Sequence, residues 1–169
     1  MKTIEINLYK FEELSNDSQQ KAIESNYDIN VIDRWWDFIY DDAKAIGLKI
    51  TSFELNRNTS GNLLLPANEV AQNIFNNHGE KCDTFNIATS FMKVWKPIFS
   101  DYMDETSEKY ESEKAETELL ELEDNFLNSL LETYLIILQN ECEYLQSTEA
   151  CKETLISNEY DFTENGLIY

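Results

Sequence analysis

Between Asp101 and Asp124 the chain places eleven carboxylates against only two lysines, Lys109 and Lys114. On a helix, residues three or four apart are surface neighbours, with Cβ atoms about 5–6 Å apart. That spacing lets Glu108, Glu111, Glu118 and Glu121 line one side of a helix, with Glu113, Glu116 and Asp124 broadening it. Such a row carries fixed negative charge at a density near that of one DNA strand, whose phosphates recur about every 3.4 Å along the axis. Its chemistry would be that of docking onto a cationic groove. A charge run can also be no more than a solvated helix face. Lysines hardly interleave with these acids, as a salt-bridged helix would require, and this favours a partner-binding face.

Other constellations offer less. His78 and Cys82 have a helical metal-ligand spacing, but Gly79 lies between them and no second His or nearby Cys completes a tetrahedral set. No metal and no cofactor is expected. With 33 acids, any carboxylate spacing occurs by chance, and a single His and four glycines leave no nucleophile elbow or phosphate loop. No catalytic residue is assigned, and the chain is read as a binding protein rather than an enzyme. Trp35 and Trp36 stand side by side. On a helix they point about 100° apart, so one is expected in the core and the other, Trp35, is a candidate aromatic anchor for a partner. The plainer alternative is that both cover the sheet.

The whole composition points the same way. A net charge of −20 on 169 residues repels DNA, RNA and anionic membranes, which demand clustered Lys and Arg, and arginine occurs only at Arg34 and Arg57. A hydrophobic fraction of 42% and an aromatic fraction of 12% supply a core that a disordered acidic chain would lack. Three cysteines, Cys82, Cys142 and Cys151, form no disulfide framework, so a reducing, cytoplasmic setting is expected. Residues 1–15 contain no signal-peptide core, and no run of 18 apolar residues exists to span a membrane.

The elements that would position the acids read as α+β: a small antiparallel sheet packed on helices, with long acidic helices toward the C-terminus. Ile4, Ile6 and Leu8 alternate with polar residues and predict an N-terminal strand over 3–9. Ser15, Asn16 and Asp17 can cap a short helix through Ser25 that turns Ala22 and Ile23 inward. Asp33 can cap a helix carrying Trp36, Ile39, Tyr40, Ala43 and Ile46, closed by Gly47. Residues 48–55 alternate again, a turn is expected over 56–61, and Leu63 to Leu65 return as a hairpin strand. Helices follow over 67–78 and 83–96, with Pro97 kinking or restarting the second. No glycine or proline interrupts 98–165, so one or two long helices are expected, with breaks near Thr106-Ser107 or Ser147-Thr148. Their apolar stripe runs Leu120, Leu127, Leu131, Tyr134, Leu138 and Leu145. Glu164-Asn165-Gly166 predicts a turn that returns the C-terminus to the N-terminal sheet. The expected organisation is a core over 1–97, an acidic helical region over 98–157 and a returning strand over 158–169, all in one compact domain.

Three strings carry a resemblance: TIEINLYKFEELSNDSQQKAI at 3–23, WWDFIYDDAKAIGLKITSFEL at 35–55, and the close Asn158-Glu159-Tyr160-Asp161-Phe162-Thr163-Glu164-Asn165-Gly166. Together they resemble a group of small bacteriophage and prophage proteins often labelled as the antitoxin of a toxin–antitoxin stability system. The likeness covers most of the chain and is weakest around 56–66. It transfers no functional residues. It implies a phage or mobile-element origin and action inside a bacterial host cell. Small acidic phage proteins of this kind often disable host nucleic-acid machinery, as anti-CRISPR proteins and other DNA mimics do. The first expectation is therefore an anti-CRISPR inhibitor that occupies a basic nucleic-acid-binding surface of a Cas effector or similar nuclease. The alternative is an antitoxin that neutralises a basic toxin. An enzyme without a visible site ranks third, and a structural phage protein remains a fourth reading.

Overall fold

In a computed structural model, which describes residues 5–169, Ser15 opens the first helix, α1 (Asn16–Ser25), by accepting the Ser18 amide at 3.2 Å. Its buried residues are the expected Ala22 and Ile23. The helices that follow are α2 (Asp37–Ile46), α3 (Ala67–Asn77), α4 (Asp83–Met103), α5 (Glu113–Leu145) and α6 (Thr148–Ser157). Between α2 and α3 lies an antiparallel hairpin, β1 (Leu48–Glu54) and β2 (Asn58–Leu63). The architecture is α+β. The contacts divide into two units, one formed by residues up to Trp35 with Asn140–Tyr169, the other by Trp36–Gln139.

The smaller unit is built on Phe11, Leu14, Ala22, Ile23, Cys151, Leu155 and Phe162. The C-terminal segment meets the N-terminal one here through isolated bridges, not through the expected sheet. Tyr9 and Phe162 exchange backbone hydrogen bonds at 2.9 and 2.8 Å, and Phe162 also pairs with Ile168 across a turn at Gly166. Gly166 has φ +78°, and a Cβ there would run into the Ser18 carbonyl oxygen, so only glycine fits this turn. Lys10 anchors the same region, 2.7 Å from Asp161 and donating to the Glu159 carbonyl at 2.6 Å.

The expected N-terminal strand does not form over residues 5–8, and its Ile4 lies outside the described residues. Ile6 is 53% exposed and Leu8 38% exposed. Alternation makes a strand only where a partner covers one face, and here the C-terminal turn offers pairing to Tyr9 alone.

Ser147 ends α5 and caps α6, accepting the Ala150 amide at 3.2 Å, which is the break expected near Ser147-Thr148. Ser147→Ala is expected to cost about 1 kcal/mol, read as a lower urea midpoint at unchanged slope.

In the larger unit, Gly47 (φ +94°) closes α2 as expected, while the start of α2 differs from expectation. Asp33 does not cap it. Arg34 adopts φ +46°, which breaks any helix there, and α2 starts after Trp36. The two tryptophans therefore stand before the helix rather than on it, and both are half-buried. Trp36 meets Phe53 edge-on at 5.5 Å. In the hairpin, Leu48 and Ile50 point inward and Ser52 is exposed. The turn is tighter than the 56–61 expectation, because the Arg57 amide donates to the Glu54 carbonyl and β2 begins at Asn58. Opposite Ile50 sits Gly61, against which Leu131 of α5 packs.

Helix α4 runs beyond the expected residue 96, through Pro97, to Met103. Proline removes the bond to the Lys93 carbonyl, but both residues are exposed, so water can take its place. Trp95 and Phe99 stack across the proline at 4.3 Å. The buried stripe of α5 is Ala115, Leu119, Phe126, Leu130, Leu131, Tyr134 and Leu138. Leu120, expected to lead that stripe, is 58% exposed. Leu119 takes the inward place, and one residue along a helix is a rotation of about 100°.

Candidate functional site

The acidic segment starts where α4 ends. Residues 104–112 make a chain of turns, not a helix, with the break at the expected Thr106-Ser107. Asp104 accepts the Thr106 hydroxyl at 2.7 Å and its amide at 2.9 Å, and these bonds hold its carboxyl below the usual range. Lys109 reaches back to Asp101 at 3.3 Å. Glu111 adopts φ +45° and donates its amide to the Tyr102 carbonyl. The Ser112 hydroxyl then accepts the Ala115 amide at 3.3 Å, and α5 begins. Glu113 and Glu116 occupy its first turn, where the positive end of the helix dipole favours negative charge.

Of the seven acids expected in one helical row, Glu108 and Glu111 therefore lie in the turns. Glu113, Glu116, Glu118, Glu121 and Asp124 are on α5. At about 100° per residue, Glu113 and Asp124 share a stripe, with Glu116 and Glu121 on either side. The charge thus spreads over the outer flank of the helix instead of forming a line. All are exposed except Glu118, which is half-exposed and lies 3.9 Å from Lys114. Glu123 is used structurally, accepting the Trp95 indole N–H at 3.3 Å. From Glu113 to Asp124 the helix rises roughly 17 Å. Its six acids less Lys114 leave one net charge per roughly 3.4 Å, the axial phosphate spacing of a DNA strand. Trp35, the candidate anchor, belongs to the smaller unit and is half-buried.

One polar cluster was not legible in the sequence. The Tyr134 hydroxyl donates to Asp42 Oδ2 at 2.7 Å, His78 Nε2 lies 3.5 Å from Asp42 Oδ1, and His78 Nδ1 lies 2.7 Å from Thr84 Oγ1. These residues come from α2, α5, the end of α3 and the start of α4, and no local spacing links them. The types suggest a proton relay. Yet Thr84 is 3% exposed and Tyr134 fully buried, so no substrate reaches either hydroxyl, and the cluster ties helices together. It also occupies the histidine of the His78–Cys82 pair. Among the described residues no group of three or more His, Cys, Asp or Glu is placed to hold a metal. Burial pushes the Cys142 and Cys151 thiols up, with the Asp28 charge adding to the effect at Cys151.

No family model, no curated protein and no solved structure matches this chain. The residues themselves carry the functional argument.

Tyr134 also makes a pH prediction. Burial, then the bond to Asp42 and its charge, raise the phenol far above its ordinary value of 10.0. Above that value the unfolded chain releases this proton while the folded chain keeps it, so stability falls as pH rises. Tyr134→Phe is expected to cost about 1 kcal/mol at neutral pH, because Asp42 stays half-solvated when the bond is lost. The same variant should flatten the alkaline decline in thermal midpoint. An unchanged alkaline slope would contradict this.

Proposed function

We propose that this chain works by binding, and that its acidic flank over Glu108–Asp124 docks on a cationic protein surface of the kind that otherwise holds nucleic acid. The observation that carries this reading is the ordered display of charge. Four exposed carboxylates, Glu113, Glu116, Glu121 and Asp124, stand in the first twelve residues of α5, in a chain of net charge −20. Like charges held together raise the energy of the free protein, and a basic partner relieves it. The resemblance to phage proteins makes a CRISPR effector or similar defence nuclease the first candidate partner, and a nucleic-acid-mimicking inhibitor the first candidate role. The antitoxin label borne by the proteins it resembles supports a second reading, in which the basic partner is a small toxin.

Immobilised chain incubated with host lysate tests this. At about 50 mM salt it should retain one basic nucleic-acid-binding protein, and at about 300 mM most of that capture should be lost, because screening shortens the reach of surface charge. Retention of a small toxin would select the second reading. Retention of no cationic protein at either salt would overturn both.

A further inference from the structure

Between α4 and α5 runs a groove of about 420 Å³. Phe91 and Phe126, both buried and stacked at 4.3 Å, make its floor, and Ile87, Val94 and Leu122 its apolar walls. Val94 is 47% exposed, and Ser90 on the same lip is exposed, so the groove opens to solvent. Its lining spans α5 residues 122–129, roughly 10 Å or two turns of helix.

The α5 lip is acidic and the α4 lip carries one charge of each sign. On α5, Glu118 and Glu121 sit one turn before Leu122 and Asn125, and Glu132 sits one turn after Ser129. On α4, Asp83 lies one turn before Ile87, and Lys93 is the opposing cation, one turn from Ser90. An apolar trough flanked by the acidic lip of α5 suits a short helix with an apolar stripe flanked by Lys or Arg. A second copy of this chain would set these same acids against one another. Nucleic acid and anionic lipid are repelled by them.

We infer that the α4–α5 groove seats a basic amphipathic helix of the partner, with apolar residues over Phe91 and Phe126 and cations along Glu118, Glu121 and Glu132. This rests on the reading that the partner is basic, and adds the part of it that is recognised by shape.

Two labelled synthetic peptides of about 14 residues, enough for nearly four turns, test the inference against the whole chain. One arranges leucine and lysine as an amphipathic helix, and the other has the same composition scrambled. Fluorescence anisotropy should give the amphipathic peptide about tenfold or more tighter binding, since burying even one or two leucines is worth that much. Ser90→Arg, which fills the groove and puts a cation on its lip, and Val94→Gln, which removes an apolar wall, should each erase the difference. Both positions are exposed, so circular dichroism should show the fold unchanged. Equal binding of the two peptides would overturn the groove and leave the charge reading standing. Binding of neither would overturn both. A concentration-dependent dimer in sedimentation that Ser90→Arg abolishes would assign the groove to a second copy, and overturn it as well.

Discussion

Reversing Glu113, Glu116, Glu121 and Asp124 to lysine together is expected to weaken capture of the basic partner by about 100-fold or more at low salt. Each is exposed and away from the buried stripe of α5, so the fold does not depend on it. Each reversal changes the charge by two, which takes the chain from −20 to −12 and turns the helix's outer flank positive. Opposed charge across an interface governs encounter and register, and like-charge juxtaposition costs several kcal/mol. The stability change has two opposing parts. Lysine at Glu113 and Glu116 loses about 0.3–1 kcal/mol each against the helix dipole, and relief of self-repulsion offsets it. Urea denaturation should therefore move little while affinity collapses. Calorimetric titration of the captured partner measures the second quantity, and retained affinity would show that these acids are merely a solvated face.

Gly61→Val is expected to be the most damaging substitution in the larger unit, costing about 3 kcal/mol or more. A Cβ at this position would strike the Lys49 carbonyl oxygen of the paired strand, and would lie 2.9 Å from Leu131 Cδ2 of α5. Backbone on one side and a packed leucine on the other leave no direction for relief, so either the hairpin or α5 must shift. Total stability of a domain is about 5–15 kcal/mol, so this loss is a large share. Gly79→Ala is the control. Nothing lies within 4 Å of its added Cβ, and it should be neutral or stabilise by up to about 1 kcal/mol through the unfolded state. Equal urea midpoints for the two variants would contradict this account of the hairpin–helix packing.

The α+β class was legible because the local signals were strong. Ser15 as a cap, Gly47 as a helix stop, the alternation of Leu48 and Ile50, and the turn at Gly166 act through neighbouring residues, and each stands where sequence reading puts it. The failures are positions decided at long range. Ile6 and Leu8 alternate like a strand, but pairing depended on how much of the C-terminal tail reaches Tyr9. Trp35 and Trp36 look helical until the left-handed Arg34 is known. Leu120 and Leu119 are equally apolar, and tertiary packing of α5, which buries Leu119 and leaves Leu120 exposed, decides between them. The acidic character of the candidate site was plain in composition, whereas its shape was not. Glu111 left the helix through a backbone angle that no charge pattern encodes, and Glu123 was drawn inward by Trp95 from α4. The Asp42–His78–Thr84–Tyr134 cluster joins four elements and had no sequence signature at all.

Competition with nucleic acid tests the central claim most directly. The captured partner is first loaded with labelled nucleic acid, and then titrated with this chain. Displacement should be complete at one chain per binding site, and should become harder to achieve as salt rises. Nucleic acid that stays in place while the chain binds alongside it, or that is released by a small fraction of an equivalent, would contradict the claim.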